Sequence, residues 1–182
     1  MEKYRKTLLH LLKERAYRHG EFTLSSGKKS EHYMNCKPVT LSCEGNALCS
    51  HLMIEHVEDN SVAVGGLTLG ADPLVCGIAQ KAHYSGKHID ALIVRKNPKE
   101  YGTKEVIEGN KPPKGSIVTV LDDVTITGGG AVKAVNVLRE AGYVVNRVVA
   151  IVDRQEDHKI WDVNKIKFIS LFKLEDIVNC EI

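Results

Sequence analysis

A chain of 182 residues with 43% hydrophobic and 26% charged side chains has the size and balance of one globular domain with a full core. Its formal net charge of +2 gives no electrostatic footprint for nucleic acid, and no apolar run approaches the ~18–20 residues that span a bilayer. Five cysteines without C-x-x-C spacing and eight scattered histidines without H-E-x-x-H argue against a disulfide framework and a metal cluster.

Residues 2–18 place Tyr4, Leu8, Leu9, Leu11, Leu12 and Tyr17 between charged groups. This spacing predicts an amphipathic helix stopped by Gly20, with His10 and His19 on the surface. The charged N-terminus does not read as a signal peptide, and free thiols suit a reducing cytoplasm. Residues 22–30 turn at Ser26-Gly27 and lead into a short strand over 32–36, a hairpin with a basic turn. Residues 46–59 read as a second helix with Leu48, Leu52, Met53, Ile54 and Val57 inward. A buried strand over 61–64 follows, then Gly65-Gly66-Leu67-Thr68-Leu69-Gly70-Ala71-Asp72 and a helix over about 73–82. This strand–glycine–helix unit lacks the lysine of a P-loop. Residues 88–94 form the next strand. Between 95 and 114 lie six basic and three acidic groups without periodicity, the mark of a long functional loop.

The apolar run Val118-Thr119-Val120-Leu121 reads as a buried strand that ends in Asp122-Asp123. Val124-Thr125-Ile126-Thr127-Gly128-Gly129-Gly130 is a loop, and 131–141 a helix stopped by Gly142. Such a unit suits a phosphorylated sugar. Glycines let backbone N–H groups approach a phosphate, the helix N-terminus adds partial positive charge, and the carboxylates can accept hydrogen bonds from ribose hydroxyls. A dinucleotide-binding reading fails on spacing. Lys133 holds the third glycine position, and six residues, Asp122 to Thr127, separate the strand from the first glycine. Residues 144–152 form a parallel strand ending in Asp153-Arg154-Gln155-Glu156. A last strand over 165–172 and a helical end over 173–178 complete the chain.

The stretch around Asp122-Asp123 resembles the phosphoribosyl pyrophosphate signature of the type I phosphoribosyltransferases. Phe22-Thr23-Leu24-Ser25-Ser26-Gly27-Lys28-Lys29-Ser30, the basic segment from Arg95, and Asp153-Arg154-Gln155-Glu156 are similar to motifs of the orotate phosphoribosyltransferases. The resemblance implies one α/β domain over 1–182: a central, mostly parallel sheet flanked by helices over 44–182, and a helix and small hood over 1–40. It implies a mobile catalytic loop over 95–114 that reaches into the partner subunit of a homodimer. The expected reaction joins orotate to phosphoribosyl pyrophosphate in de novo pyrimidine synthesis, with Mg2+ held mainly by substrate and no direct protein ligand. The alternatives are a phosphoribosyltransferase for another base, or a non-catalytic regulator that binds phosphoribosyl pyrophosphate.

Site residues follow from the same resemblance. Lys99, Asp122 and Asp123 are expected to be catalytic. Phosphoribosyl pyrophosphate is expected to meet Arg95, Lys96, Lys99, Tyr101, Asp122, Asp123 and the loop Val124, Thr125, Ile126, Thr127, Gly128, Gly129 and Gly130. Leu67, Thr68, Leu69 and Gly70 are expected to form the pyrophosphate loop. Orotate is expected to meet Ser26, Lys28, Tyr33, Ile126 and Arg154. The chain departs from the family pattern at four places. Ser25 and Leu69 stand where many relatives carry lysine, Tyr101 replaces a histidine, and Ile126 replaces a threonine. Lys28, Lys29 or Lys37 could supply the charge missing at Ser25. The expected chain is cytoplasmic, with no nucleic-acid or membrane partner.

Overall fold

The structure, a computed structural model, describes residues 1–23, 27, 29–97 and 105–181. Five parallel strands form most of one sheet: β3 (Ser61–Leu67), β4 (Asp90–Val94), β6 (Ile117–Thr125), β7 (Arg147–Asp153) and β8 (Lys167–Lys173). A short strand, β5 (Ile107–Gly109), runs antiparallel along β4 and closes one edge. The order across the sheet is β5-β4-β3-β6-β7-β8. β3 and β6 are therefore adjacent and parallel, and the loops that leave their carboxyl ends emerge side by side. That is where an open α/β sheet places its ligands.

Both faces of the sheet are covered, which is why the central strands read as continuous apolar runs. On one face Leu121, Val149 and Ile151 join a core with residues of α1 (Glu2–Leu11), α3 (Cys43–Met53), α4 (Asp72–Tyr84) and α7 (Leu174–Val178). On the other, Val118, Val120 and Val148 pack with Ala134, Val135 and Leu138 of α5 (Gly129–Glu140) and with Trp161 of α6 (Lys159–Val163). No helix among the described residues is long and apolar enough to cross a membrane.

Several element bounds differ from the sequence expectation. The first helix does not run to residue 18. α1 passes into a π-helical turn over Leu12–Ala16, and Tyr17 is already extended at φ −93°, ψ 142°. β1 (Tyr17–Thr23) pairs antiparallel with β2 (Lys29–Met34), so its backbone groups find cross-strand partners, while the buried Tyr17 hydroxyl lies 2.8 Å from His32 Nδ1. Gly20 lies inside β1, at φ 155°, where the pairing register shifts between His19 and Phe22. The second helix starts earlier and ends earlier than 46–59. The Ser42 hydroxyl caps α3 by accepting from Gly45 N at 3.1 Å, and a 3-10 turn over Ile54–His56 follows Met53. The 95–114 segment contains an edge strand, β5, anchored by the buried Ile107. The short helices α2 (Lys37–Thr40) and α6 had no counterpart in the sequence reading.

Candidate active site

The largest local correction concerns the acid pair. Asp122 and Asp123 do not end the strand. β6 continues to Thr125, because β7 runs alongside it and pairs Asp122 with Ala150, Val124 with Val152 and Thr125 with Asp153. Only Ile126 and Thr127 then separate the strand from Gly128. Helix α5 begins at Gly129, two residues earlier than expected. Gly128 takes a left-handed conformation, φ 74°, and a Cβ there would lie 3.0 Å from Ile160 and Trp161 side-chain atoms. A side chain would therefore be strained and crowded at once. Ile126, Thr127, Gly129 and Gly130 are exposed around it, and the first turn of α5 carries no acidic residue. This is a helix start open to an anion.

Asp123 is buried and held on several sides. Its Oδ1 accepts from Val124 N at 2.9 Å, and its Oδ2 lies 3.5 Å from Lys37 Nζ. Asp122 Oδ1 accepts from Asp123 N at 3.0 Å. Burial, with the adjacent Asp123 carboxylate adding to it, pushes the Asp122 carboxyl up to about 8. The Thr68–Gly70 loop approaches from β3. A Cβ on Gly70 would lie 2.5 Å from Asp123 Oδ1, so the close approach requires glycine. Leu69 is exposed, the Thr68–Leu69 peptide is cis, and the Thr68 hydroxyl donates to Asp72 Oδ2 at 2.8 Å. A Cβ on Gly130 would stand 3.8 Å from Leu67, which brings the end of β3 against the start of α5.

The last part of the site comes from the end of β7. Arg154 N donates to Thr125 O at 2.8 Å, which fixes Arg154 beside the end of β6. Its guanidinium donates to His32 O at 2.9 Å and to Ser30 Oγ at 3.4 Å, tying the β1–β2 hairpin to the sheet. Partial burial lowers its proton affinity. Tyr33 is placed differently. It stacks on Phe22 with ring centroids 5.2 Å apart. Arg95 sits 3.4 Å from Glu108 on β5, and the exposed Lys96 gives its carbonyl to Lys133 Nζ at 2.7 Å. Ser26, Lys28, Lys99 and Tyr101 lie outside the described residues.

The structure thus gathers Asp122, Asp123, Gly70, the 126–130 loop and Arg154 at neighbouring strand ends. Sequence reasoning missed what Lys37 does. It was one of three lysines that could have supplied charge, and no local pattern ties it to an aspartate 86 residues away.

Comparison with solved structures places the same architecture in known enzymes. The orotate phosphoribosyltransferase of Mycobacterium tuberculosis, solved with Fe(III) dicitrate, superposes with a TM-score of 0.82 at 34% identity, over 96% of this chain and 98% of that one. The same enzyme solved with 5-phospho-alpha-D-ribosyl 1-diphosphate superposes with a TM-score of 0.77 at 31% identity, over 96% and 99%. Fold and site together define a type I phosphoribosyltransferase. No protein-family model matches the chain. The orotate phosphoribosyltransferase of Thermosynechococcus vestitus is 52% identical over 174 residues, 95% of this chain and 92% of that protein. The chain belongs to the orotate phosphoribosyltransferase family.

Proposed function

We propose that the chain transfers the phosphoribosyl group of phosphoribosyl pyrophosphate to orotate, giving orotidine 5′-monophosphate and diphosphate. The observation that carries this reading is the meeting of Asp123 with Gly70, where the loops of two adjacent parallel strands converge beside the start of α5. One loop suits a ribose 5-phosphate and the other a diphosphate, with the acid pair between them. The 52% identity with the orotate phosphoribosyltransferase of Thermosynechococcus vestitus supports orotate as the acceptor.

The chemistry needs little more than charge placed in advance. The anomeric carbon–oxygen bond to diphosphate breaks, and a bond to an orotate ring nitrogen forms. Positive charge develops on the ribose and negative charge on the leaving diphosphate. Asp122 and Asp123 hold the ribose hydroxyls beside the developing cationic sugar. Backbone N–H groups of residues 126–130 hold the 5-phosphate, with Val124 and Thr125 supporting them from the end of the strand. Residues 67–70 line the diphosphate. Arg95, Lys96, Lys99 and Tyr101 face the leaving group, Lys99 as its principal cation, on a loop contributed by the second subunit of a homodimer. Among the described residues no three His, Cys, Asp or Glu side chains converge as a metal cage. Mg2+ entering with the substrate beside Asp122 and Asp123 would supply charge neutralisation at the diphosphate. Arg154 offers paired donors to the orotate carboxylate, with Ser26, Lys28, Ile126 and Tyr33 around the base. The enzyme works in the cytoplasm.

The direct test follows orotate absorbance with phosphoribosyl pyrophosphate and Mg2+. Loss of orotate in step with diphosphate release is expected. Binding of the phosphosugar without turnover would instead favour a regulator, and turnover with a different base would move the acceptor. Arg154→Ala should raise the KM for orotate about tenfold, the scale of a lost charged hydrogen bond, and leave the KM for phosphoribosyl pyrophosphate within about twofold. A rise in the second constant alone would remove Arg154 from the base site.

A further inference from the structure

The described walls of the acid-pair site are rich in carboxyl groups. Asp122 and Asp123 lie on β6. Asp72 opens α4 just beyond Gly70; one of its oxygens takes the Thr68 hydroxyl, and the other is buried with no hydrogen-bond partner among the described residues. Leu69, between them, is neutral. A phosphosugar bearing a diphosphate would bring its negative charge up to Asp123 and the Gly70 loop, and like charges in a partly dry cleft repel strongly.

One lysine reaches this cluster among the described residues. Lys37 Nζ lies 3.5 Å from Asp123 Oδ2, and the Lys37 side chain is 38% exposed while that of Asp123 is 8% exposed. The cation enters from the solvent edge and ends on a buried carboxylate. Its backbone is fixed at the start of α2, where Lys37 N donates to Asn35 Oδ1 at 3.2 Å and Pro38 follows in the first turn. An ammonium has three donors. Among the described residues Asp123 is the only hydrogen-bond partner of Lys37 Nζ, which leaves donors free. Lys29, another lysine of the hairpin, is exposed on β2 opposite Thr23.

We propose that Lys37 is a positioning residue of the active site: it fixes Asp123 through their ion pair and offsets the charge of the site against the entering phosphosugar. This rests on the reading of the pair as the ribose site. The two aspartates are then unequal by construction, one paired with a cation and the other not. The remaining charged and titratable neighbours fit that division. Cys36, just before Lys37, is buried, donates its thiol to Asp123 O at 3.9 Å and is held neutral by burial. Arg154 has its electrostatic neighbours in Cys36 and Tyr17. Lys37 also opposes the effects that keep a proton on Asp122. Without it Asp122 would stay protonated to higher pH and would accept ribose hydroxyls less well.

The test uses the full chain with Lys37→Met and Lys37→Arg. Lys37→Met should lower kcat/KM for phosphoribosyl pyrophosphate about 10- to 100-fold, leave the KM for orotate within about twofold, and move the acid limb of the pH profile up by about one unit. Lys37→Arg should restore most of the loss. In the free protein, 13C spectra of the aspartate carboxyls should show the pair titrating at higher pH in Lys37→Met. If Lys37→Met melts below assay temperature, Lys37→Gln is measured in the same way. Unchanged kcat/KM together with an unchanged carboxyl titration would overturn the proposal. If the wild-type chain fails to consume orotate, the functional reading falls, and the carboxyl titration still decides whether Lys37 governs the pair.

Discussion

Replacing Asp122 by Asn should make the protein more stable and nearly inactive. In the folded chain Asp122 binds its proton up to about pH 8, against an ordinary value of 3.8. The folded state therefore holds more protons than the unfolded state between these values, and stability contributed at acid pH is lost as pH rises through about 8. Asn carries no charge to desolvate, and its oxygen can still accept from Asp123 N. The gain should be on the order of 2–3 kcal/mol at pH 8 and shrink towards zero near pH 4, since each unit of pKa difference corresponds to about 1.4 kcal/mol before solvent and relaxation reduce it. Turnover should fall by about 100-fold or more, the usual scale for removing one preorganised electrostatic group. Thermal melts at pH 5 and pH 8, beside kcat, check both halves. A variant less stable than wild type at pH 8 would mean that the carboxyl is ionised at little cost.

Gly70→Ala should damage phosphoribosyl pyrophosphate binding with little effect on orotate. The added Cβ would stand 2.5 Å from Asp123 Oδ1 and 2.8 Å from its Cγ. Asp123 cannot easily yield, because Val124 N and Lys37 hold its two oxygens. The loop must then withdraw, and the diphosphate loses its floor. A fall of about 100-fold in kcat/KM for phosphoribosyl pyrophosphate is expected, with an overpacking cost of roughly 1–3 kcal/mol in stability. Calorimetric titration with the phosphosugar separates binding from chemistry. A normal affinity in Gly70→Ala would show that the loop and the acid pair act independently.

The parallel strands were legible because both faces of the sheet are covered. Val118 to Leu121 and Val148 to Val152 are apolar runs that suit little else. The acid pair and the glycine loop were legible as chemistry, but their strand was cut short. A carboxylate looks like a strand end until a neighbouring strand is known to pair with it, and Thr125 pairs with Asp153. Tyr17 misled for a related reason. An apolar-leaning residue in helical spacing is equally suited to begin a strand, and only the partner His32 decides. Tyr33 was legible as an aromatic near the hood, but its stacking on Phe22 was not, because the bulge at Gly20 sets the hairpin's register. Lys37 illustrates the general limit. Its meaning lies in an ion pair between distant parts of the chain, and neither periodicity nor composition encodes it.

The two stems of the basic segment meet at the sheet edge, where Arg95 N donates to Val106 O at 2.8 Å, and β4 and β5 pair immediately beyond. Entry and exit are therefore pinned to one spot. Lengthening or rewriting the intervening residues alters an already closed ring, and doubling such a ring costs only about 0.6 kcal/mol in entropy. Changes of length in that stretch therefore cost the scaffold little.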